Sequence, residues 1–275
     1  MRDTRPSVPD ATRPVKVRGR FLSEANGKPR PLSFVGALVL LAVLSSKSNG
    51  QLPSNIRTAI AKGNSQRAVK LLSQAIEESP SDATLYYHRG SENFRINKMG
   101  ESLADFDRYV ELEPKAESQQ WKRGITAYYA GDYKKGSDQF KLYQTYHGND
   151  VENAIWKAMC DAKLYGFEKA SKGILPIRND RRPPMMQIYS MFKGELKPTQ
   201  VLKIAEQASE ASKHHAPSFY AHQYIGLFYE ANGQPKLARE HLAIATKLKI
   251  DHYMWDVARV HLERMNGAKS NRPAN

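Results

Sequence analysis

A single cysteine stands among 275 residues, so no intrachain disulfide can form. That residue, Cys160, lies among Ala158, Met159 and Ala162, where a small buried hydrophobe is the expected role. The chain also lacks a glycine-rich phosphate loop, a nucleophile elbow and an HExxH pair. No catalytic residue, cofactor or resident metal is therefore expected. His214 and His215 are adjacent, which on a helix turns them about 100° apart and stops them chelating one metal together. His222 could join one of them, but no carboxylate stands at a ligand spacing. Strand signals are nearly missing too. Apolar residues recur at helical intervals, as in Val69, Leu72, Ala75 and Ile76, and never as sustained alternation, which predicts an all-α chain.

What is present is a period. Ile56, Gly90, Gly124 and Ala158 stand 34 residues apart, and two further periods reach Gly226. A second series, Ala68, Ser102, Gly136, Ala170 and Ala238, supplies small side chains that let helix backbones approach. A third, Leu72, Phe106, Phe140, Ile174 and Leu242, supplies the large apolar side chains that fill the gap. Lys62-Gly63-Asn64, Gly131-Asp132 and Asn232-Gly233-Gln234 are turns whose Gly and Asn tolerate the left-handed conformation that ends a helix. Pro80 and Pro114 stop the second helices of the first two repeats. With Leu85-Tyr86-Tyr87-His88-Arg89-Gly90 and Gly226-Leu227-Phe228-Tyr229-Glu230-Ala231-Asn232-Gly233, the chain resembles the tetratricopeptide (TPR) family over roughly residues 52–180 and 217–262. That resemblance implies an all-α, right-handed TPR-type α-solenoid of antiparallel helix pairs with a C-terminal capping helix, and a surface that holds another protein instead of doing chemistry.

The expected organisation follows from shifts in composition. Residues 1–33 read as a disordered basic leader, with five prolines and eight basic against three acidic residues in positions 1–31. The uncharged run at 34–44 has eleven residues, short of the ~20 needed to span a bilayer. Behind a basic segment and before Ser48-Asn49-Gly50, it has the length of a signal-peptide core, so 34–50 reads as an export signal with its cleavage region. An uncleaved anchor or a buried helix is the alternative. Four TPR-like hairpins are expected over 51–182 and a degenerate repeat over 183–216, where Pro183-Pro184 interrupts the pattern. A last hairpin with a capping helix ending near Met265 fills 217–266, and 267–275 is expected to be a disordered tail.

The order of segments in the C-terminal half adds a narrower resemblance. Met185-Met186-Gln187-Ile188-Tyr189-Ser190-Met191-Phe192 leads to a helix, then to the hairpin at 218–248, then to Asp251-His252-Tyr253-Met254-Trp255-Asp256-Val257-Ala258. This is similar to the new lipoprotein I group of Gram-negative bacteria, without its lipid-bearing cysteine. The resemblance implies a periplasmic adaptor that docks an envelope protease or cell-wall hydrolases.

In a TPR hairpin the first helix lines the concave groove, and residues spaced four then three apart share its face. The candidate partner-binding residues are therefore Tyr87, Phe94 and Arg95, then Trp121, Ile125, Tyr128 and Tyr129, then Lys163. Tyr87 is expected to stack on Trp121 and Phe94 on Tyr128, as an aromatic ladder flanked by cations of the type that dominates binding hot spots. Packing between neighbouring first helices is the competing role for Tyr87 and Trp121, while Phe94 and Tyr128 are expected to be exposed. From residue 51 onward 33 Lys and Arg face 25 acidic residues, a net of +8, which favours acidic partners at a distance. Arg178, Arg181 and Arg182 read as a solvated loop. A cytoplasmic protein binding nucleic acid or another polyanion, with bases stacked on Trp121, Tyr128 and Tyr129, is the second reading.

Overall fold

The computed structural model describes residues 51–270. The leader, the apolar run at 34–44 and residues 271–275 lie outside the described residues. The described chain is all helical: α1 (Ser54–Ala61), α2 (Ser65–Glu78), α3 (Ala83–Arg95), α4 (Met99–Leu112), a 3-10 helix (Pro114–Gln119), α5 (Trp121–Ala130), α6 (Tyr133–Tyr146), α7 (Val151–Tyr165), α8 (Phe167–Lys172), α9 (Met185–Phe192), α10 (Pro198–Ser212), α11 (Ala216–Ala231), α12 (Pro235–Lys247) and α13 (Tyr253–Ser270). None of these helices is long and apolar enough to cross a membrane.

The hairpins form because the same turn recurs. After α1, α3, α5 and α11 one residue takes positive φ: Gly63 (67°), Asn97 (62°), Gly131 (85°) and Gly233 (71°). The next amide then reaches back five residues. Asn64 N donates to Ala59 O (3.0 Å), Lys98 N to Asn93 O (2.9 Å), Asp132 N to Ala127 O (2.9 Å) and Gln234 N to Tyr229 O (2.8 Å). Asn64 and Asp132 also cap the helix that follows, accepting from Arg67 N and Lys135 N at 3.1 Å each.

Between the two helices of a hairpin, size is what the period encodes. A Cβ on Gly124 would stand 2.7 Å from Phe140 Cζ, and one on Gly226 would stand 2.8 Å from Leu242 Cγ. The first series and the large series therefore pack on each other, and Leu72, Phe106, Phe140 and Leu242 are all buried. Ile174 departs from its series. The helix α8 ends at Lys172, so Ile174 falls in the following loop and is only partly buried.

Helices pack chiefly on their neighbours in sequence; beyond these, α9 meets both α7 and α11, α5 meets α7, α7 meets α11, and α13 meets α3. The short α9 and α10 occupy the stretch that interrupts the repeat. The main core runs from Phe94 to Val260, and a smaller cluster of Ile56, Ala59, Ala68, Leu72, Ile76 and Leu85 serves the first hairpin. The closing helix corrects the expectation at its end. It continues past Met265 to Ser270, since no proline precedes position 273 to stop it.

Candidate binding surface

The first-helix face is not an open groove, because α13 lies against it. Arg95 Nε donates to Asp256 Oδ2 at 2.8 Å, and Arg259 Nη2 to the Arg95 carbonyl at 2.8 Å. Arg264 donates to Asn97 Oδ1 (2.8 Å) and to the Tyr129 carbonyl (3.0 Å). The Tyr129 hydroxyl meets His261 Nδ1 at 2.8 Å, and His261 Nε2 lies 2.8 Å from Glu230 Oε2. Lys163 Nζ donates to Glu230 Oε1 at 3.0 Å. Burial opposes the Glu230 charge, but His261 and Lys163 outweigh it and hold the carboxyl at about 2.

This arrangement overturns part of the expected face. Phe94 and Tyr128, expected to be exposed, are 0 % and 5 % exposed, and Ile125 and Tyr129 are buried with them. The expected ladder is replaced by other pairs. Phe94 packs on Tyr129 (5.5 Å between centroids) and Tyr253 (5.4 Å), and Tyr128 packs on Trp156 (5.5 Å). Trp121 stacks on His252 (6.2 Å, 10° between planes) and meets Tyr253 edge-on at 5.5 Å. Tyr87 turns to Phe106 and Tyr109. The reason is competition: the chain's own α13 supplies the aromatic and charged partners that a ligand was expected to supply. Base stacking on Tyr128 and Tyr129 is ruled out by the same burial. Of the eight candidates, Tyr87, Arg95, Trp121 and Lys163 keep accessible surface.

Among the cavities along this face, one of about 550 Å³ lies beside Lys163, Glu230 and His261, and two others meet at Trp121 and His252. The first of those two is a cleft of about 1130 Å³ between the α1–α2 turn, α3, α5 and the start of α13. Its centre is Lys122, whose ammonium sits 4.6 Å from the Tyr87 ring centroid and 4.5 Å from that of Tyr253. Its hydrogen bond is to Ser91 Oγ at 3.3 Å, and among the described residues it has no ion pair. Burial, and then Arg95, push its pKa down to about 8. Lys62, Lys249 and Arg259 also line this cleft, together with Asp251 and Asp256.

The second cavity, of about 240 Å³, lies between α5, α6, the start of α7 and the loop before α9. Here Arg182, expected to be a solvated loop residue, is instead the hub of an ion network. It reaches Asp150 Oδ1 (2.8 Å), Glu152 Oε2 (2.6 Å) and Asp180 Oδ2 (2.6 Å). Glu152 Oε1 accepts from the Tyr224 hydroxyl at 2.7 Å. Burial and the neighbouring Asp150 raise the Glu152 carboxyl above its ordinary range, against the pull of Arg182. Asp180, also buried, is held low by Arg182 and by the Val151 amide. Among the described residues no three His, Cys, Asp or Glu side chains converge as a metal site; His222 meets His241 instead, 3.0 Å apart at Nδ1. Cys160 is fully buried against Gly136. Burial drives its thiol pKa upward, the opposite of a reactive thiolate.

No family model matches the chain. Among curated proteins it is 22 % identical over 121 residues to the SGT1 homolog of Oryza sativa subsp. japonica, covering 44 % of this chain and 33 % of that one. It is 26 % identical over 85 residues to the Hsp70-Hsp90 organizing protein of Triticum aestivum (31 % and 15 %). It is 24 % identical over 131 residues to a tetratricopeptide repeat and J domain-containing co-chaperone of Cryptococcus neoformans var. grubii (46 % and 25 %). The matched stretch thus spans a third or less of each relative. The fold is a TPR-type α-solenoid. Similar solved structures include a tetratricopeptide repeat protein from Parabacteroides merdae (12 % identity, 77 % of this chain, 81 % of that one, TM-score 0.47) and MamA (14 %, 70 %, 89 %, TM-score 0.42).

Sequence reasoning missed both cavities. Lys122 adjoins Trp121 and stands three and seven residues before Ile125 and Tyr129, on the edge of the candidate face. The Asp150, Glu152 and Arg182 network had a partial signal, an acidic N-cap and first turn on α7, whose carboxylates needed a cation from elsewhere.

Proposed function

We propose that this chain is a non-enzymatic protein-binding scaffold that holds an acidic peptide segment of its partner in the cleft at Lys122. The observation that carries this reading is Lys122 itself, a desolvated cation on an aromatic bed with no carboxylate paired to it. A cation kept this way is a site whose counter-charge comes from outside, and an incoming carboxylate gains a charge-assisted bond in a low-dielectric setting. The net charge of +8 from residue 51 onward draws such a segment in from a distance. Among the curated relatives is a protein named for organizing Hsp70 and Hsp90, in keeping with a scaffold role.

The test is fluorescence anisotropy with acidic and basic ten-residue peptides on the full chain. Acidic peptides are expected to bind and to weaken as salt rises. Lys122→Gln is expected to cost about tenfold in affinity, roughly the worth of one charged hydrogen bond, with an unchanged circular dichroism spectrum. Equal binding by wild type and variant sinks the reading.

We further propose that the scaffold works in the bacterial cell envelope, with 34–50 as export signal and an envelope protease or cell-wall hydrolase as partner. The apolar run behind a basic leader and the resemblance of the C-terminal half support this. Mass spectrometry of the native protein should find an N-terminus near Gln51; a chain that starts at Met1 in the cytoplasm removes the proposal.

A further inference from the structure

We propose that the 240 Å³ pocket walled by Trp121, Tyr143 and Trp156 receives one cationic side chain, a lysine or arginine of a bound peptide. The inference rests on the scaffold reading above and names the chemistry of a second subsite beside the acidic one. Size comes first. The pocket is smaller than the ~300–1,000 Å³ that drug-sized ligands occupy, so it takes a single side chain. Access is open: His147, His252 and Arg182 at the rim are exposed, while Ile125, Asn153, Trp156 and Met254 at the floor are buried.

Two buried polar groups in this floor have no partner. Asn153 donates both amide hydrogens, to the Phe140 carbonyl (3.1 Å) and to Gln144 Oε1 (3.0 Å), and its Oδ1 accepts nothing. Trp156, 1 % exposed, leaves its indole N–H unbonded. An acceptor fixed and unfilled beneath the pocket floor favours a positive charge placed above it. Charge points the same way. Asp150, Glu152 and Asp180 share the one guanidinium of Arg182, and burial with the neighbouring Asp150 raises the Glu152 carboxyl to about 7, so the cluster lacks the positive charge that would keep all three ionised. Aromatic rings beside unneutralised carboxylates are the arrangement that attracts an ammonium or guanidinium through both the ring faces and the opposite charge.

The experiment uses the full chain and N-acetyl-lysinamide as probe, with N-acetyl-norleucinamide as its uncharged isostere. Binding is read from the three tryptophan indole N–H resonances in a nitrogen-15 correlation spectrum. The Trp156 resonance should move on titration while that of Trp255, already bonded to the Thr246 carbonyl at 3.0 Å, stays in place. Lysinamide should bind at least tenfold tighter than norleucinamide. Glu152→Gln and Asp150→Asn should each weaken it about fivefold or more, and thermal melts of both variants check that they fold. Equal affinity for the two probes, or a Trp156 resonance unmoved at saturating probe, overturns the proposal. Acidic-peptide binding at Lys122 is measured on the same sample. If acidic peptides bind and lysinamide does not, only this subsite falls; if lysinamide binds and no peptide does, the scaffold reading falls instead.

Discussion

The two cavities on either side of Trp121 and His252 handle charge in opposite ways. The Lys122 cleft keeps one ammonium out of ion-pair reach of its carboxylates, its cost softened by the rings of Tyr87 and Tyr253. At the Arg182 pocket three carboxylates crowd onto one cation, two of them at the N-cap and first turn of α7, where helix amides favour negative charge. Overall charge predicts neither, since a chain of formal charge +14 here contains an anionic pocket. The difference teaches that recognition chemistry in this solenoid is set by which side chains are desolvated together, and not by the sum over its surface.

Removing the wall should break the contrast most severely. Tyr253 is 7 % exposed and touches Phe94, Trp121, Arg95 and Lys122, which makes it the anchor of α13 at the cleft. Tyr253→Ala should cost about 3–5 kcal/mol in urea unfolding, as large aromatic truncations in cores do. Hydrogen exchange should rise first at the N-terminal half of α13, while the end held by His261 and Arg264 keeps its protection. A loss under about 1 kcal/mol would show that α13 is not fastened there.

A smaller effect is expected on the anionic side. The side chains of Asp180, Glu152 and Asp150 are 4 %, 12 % and 15 % exposed, so losing their cation leaves charge stranded. The Arg182 side chain itself is 45 % exposed, which moderates the loss, and Arg182→Gln should cost about 2 kcal/mol near pH 7. Asp180 is held below its ordinary range by Arg182 despite burial, so this stabilisation is present above pH 3.8 and lost as pH falls further. The melting difference between wild type and variant should shrink in acid. Added ethylguanidinium should restore part of the variant's stability and leave wild type unmoved; no rescue would mean that the pocket does not admit a free cation.

The hairpins were legible because their constraint is local. Gly124 must be small since Phe140 comes from the next helix of the same hairpin, sixteen residues on, and the repeat restates that demand every 34 residues. The binding face was less legible because its constraints are remote. Phe94 is covered by Tyr253 and Tyr129 by His261, over a hundred residues away, and no periodic signal links them. Arg182 looked solvated because its partners Asp150 and Glu152 lie thirty residues upstream across a loop. Repetition reports how a hairpin packs on itself, and it carries no information about a closing helix that folds back over the array.

The mildest prediction isolates the cationic side. Lys122→Met keeps a flexible apolar stem between Tyr87 and Tyr253 and deletes a charge that burial disfavours. In the folded protein that charge titrates near 8, and in the unfolded chain near 10.5. Between those values the unfolded chain binds more protons, so wild-type stability rises with pH relative to the variant. The variant should therefore be more stable below pH 8 by up to about 3 kcal/mol, less whatever the lost cation–ring contacts return, with the advantage fading by about pH 10.5. Acidic-peptide binding should follow the opposite course, being strongest in wild type below pH 8 and about tenfold weaker in the variant, whose affinity should not change across that range. A residue whose removal stabilises the fold and weakens capture is held for its ligand. Should Lys122→Met instead destabilise the chain at pH 7, the ammonium is part of the packing of α13, and the cleft loses its claim as a binding site.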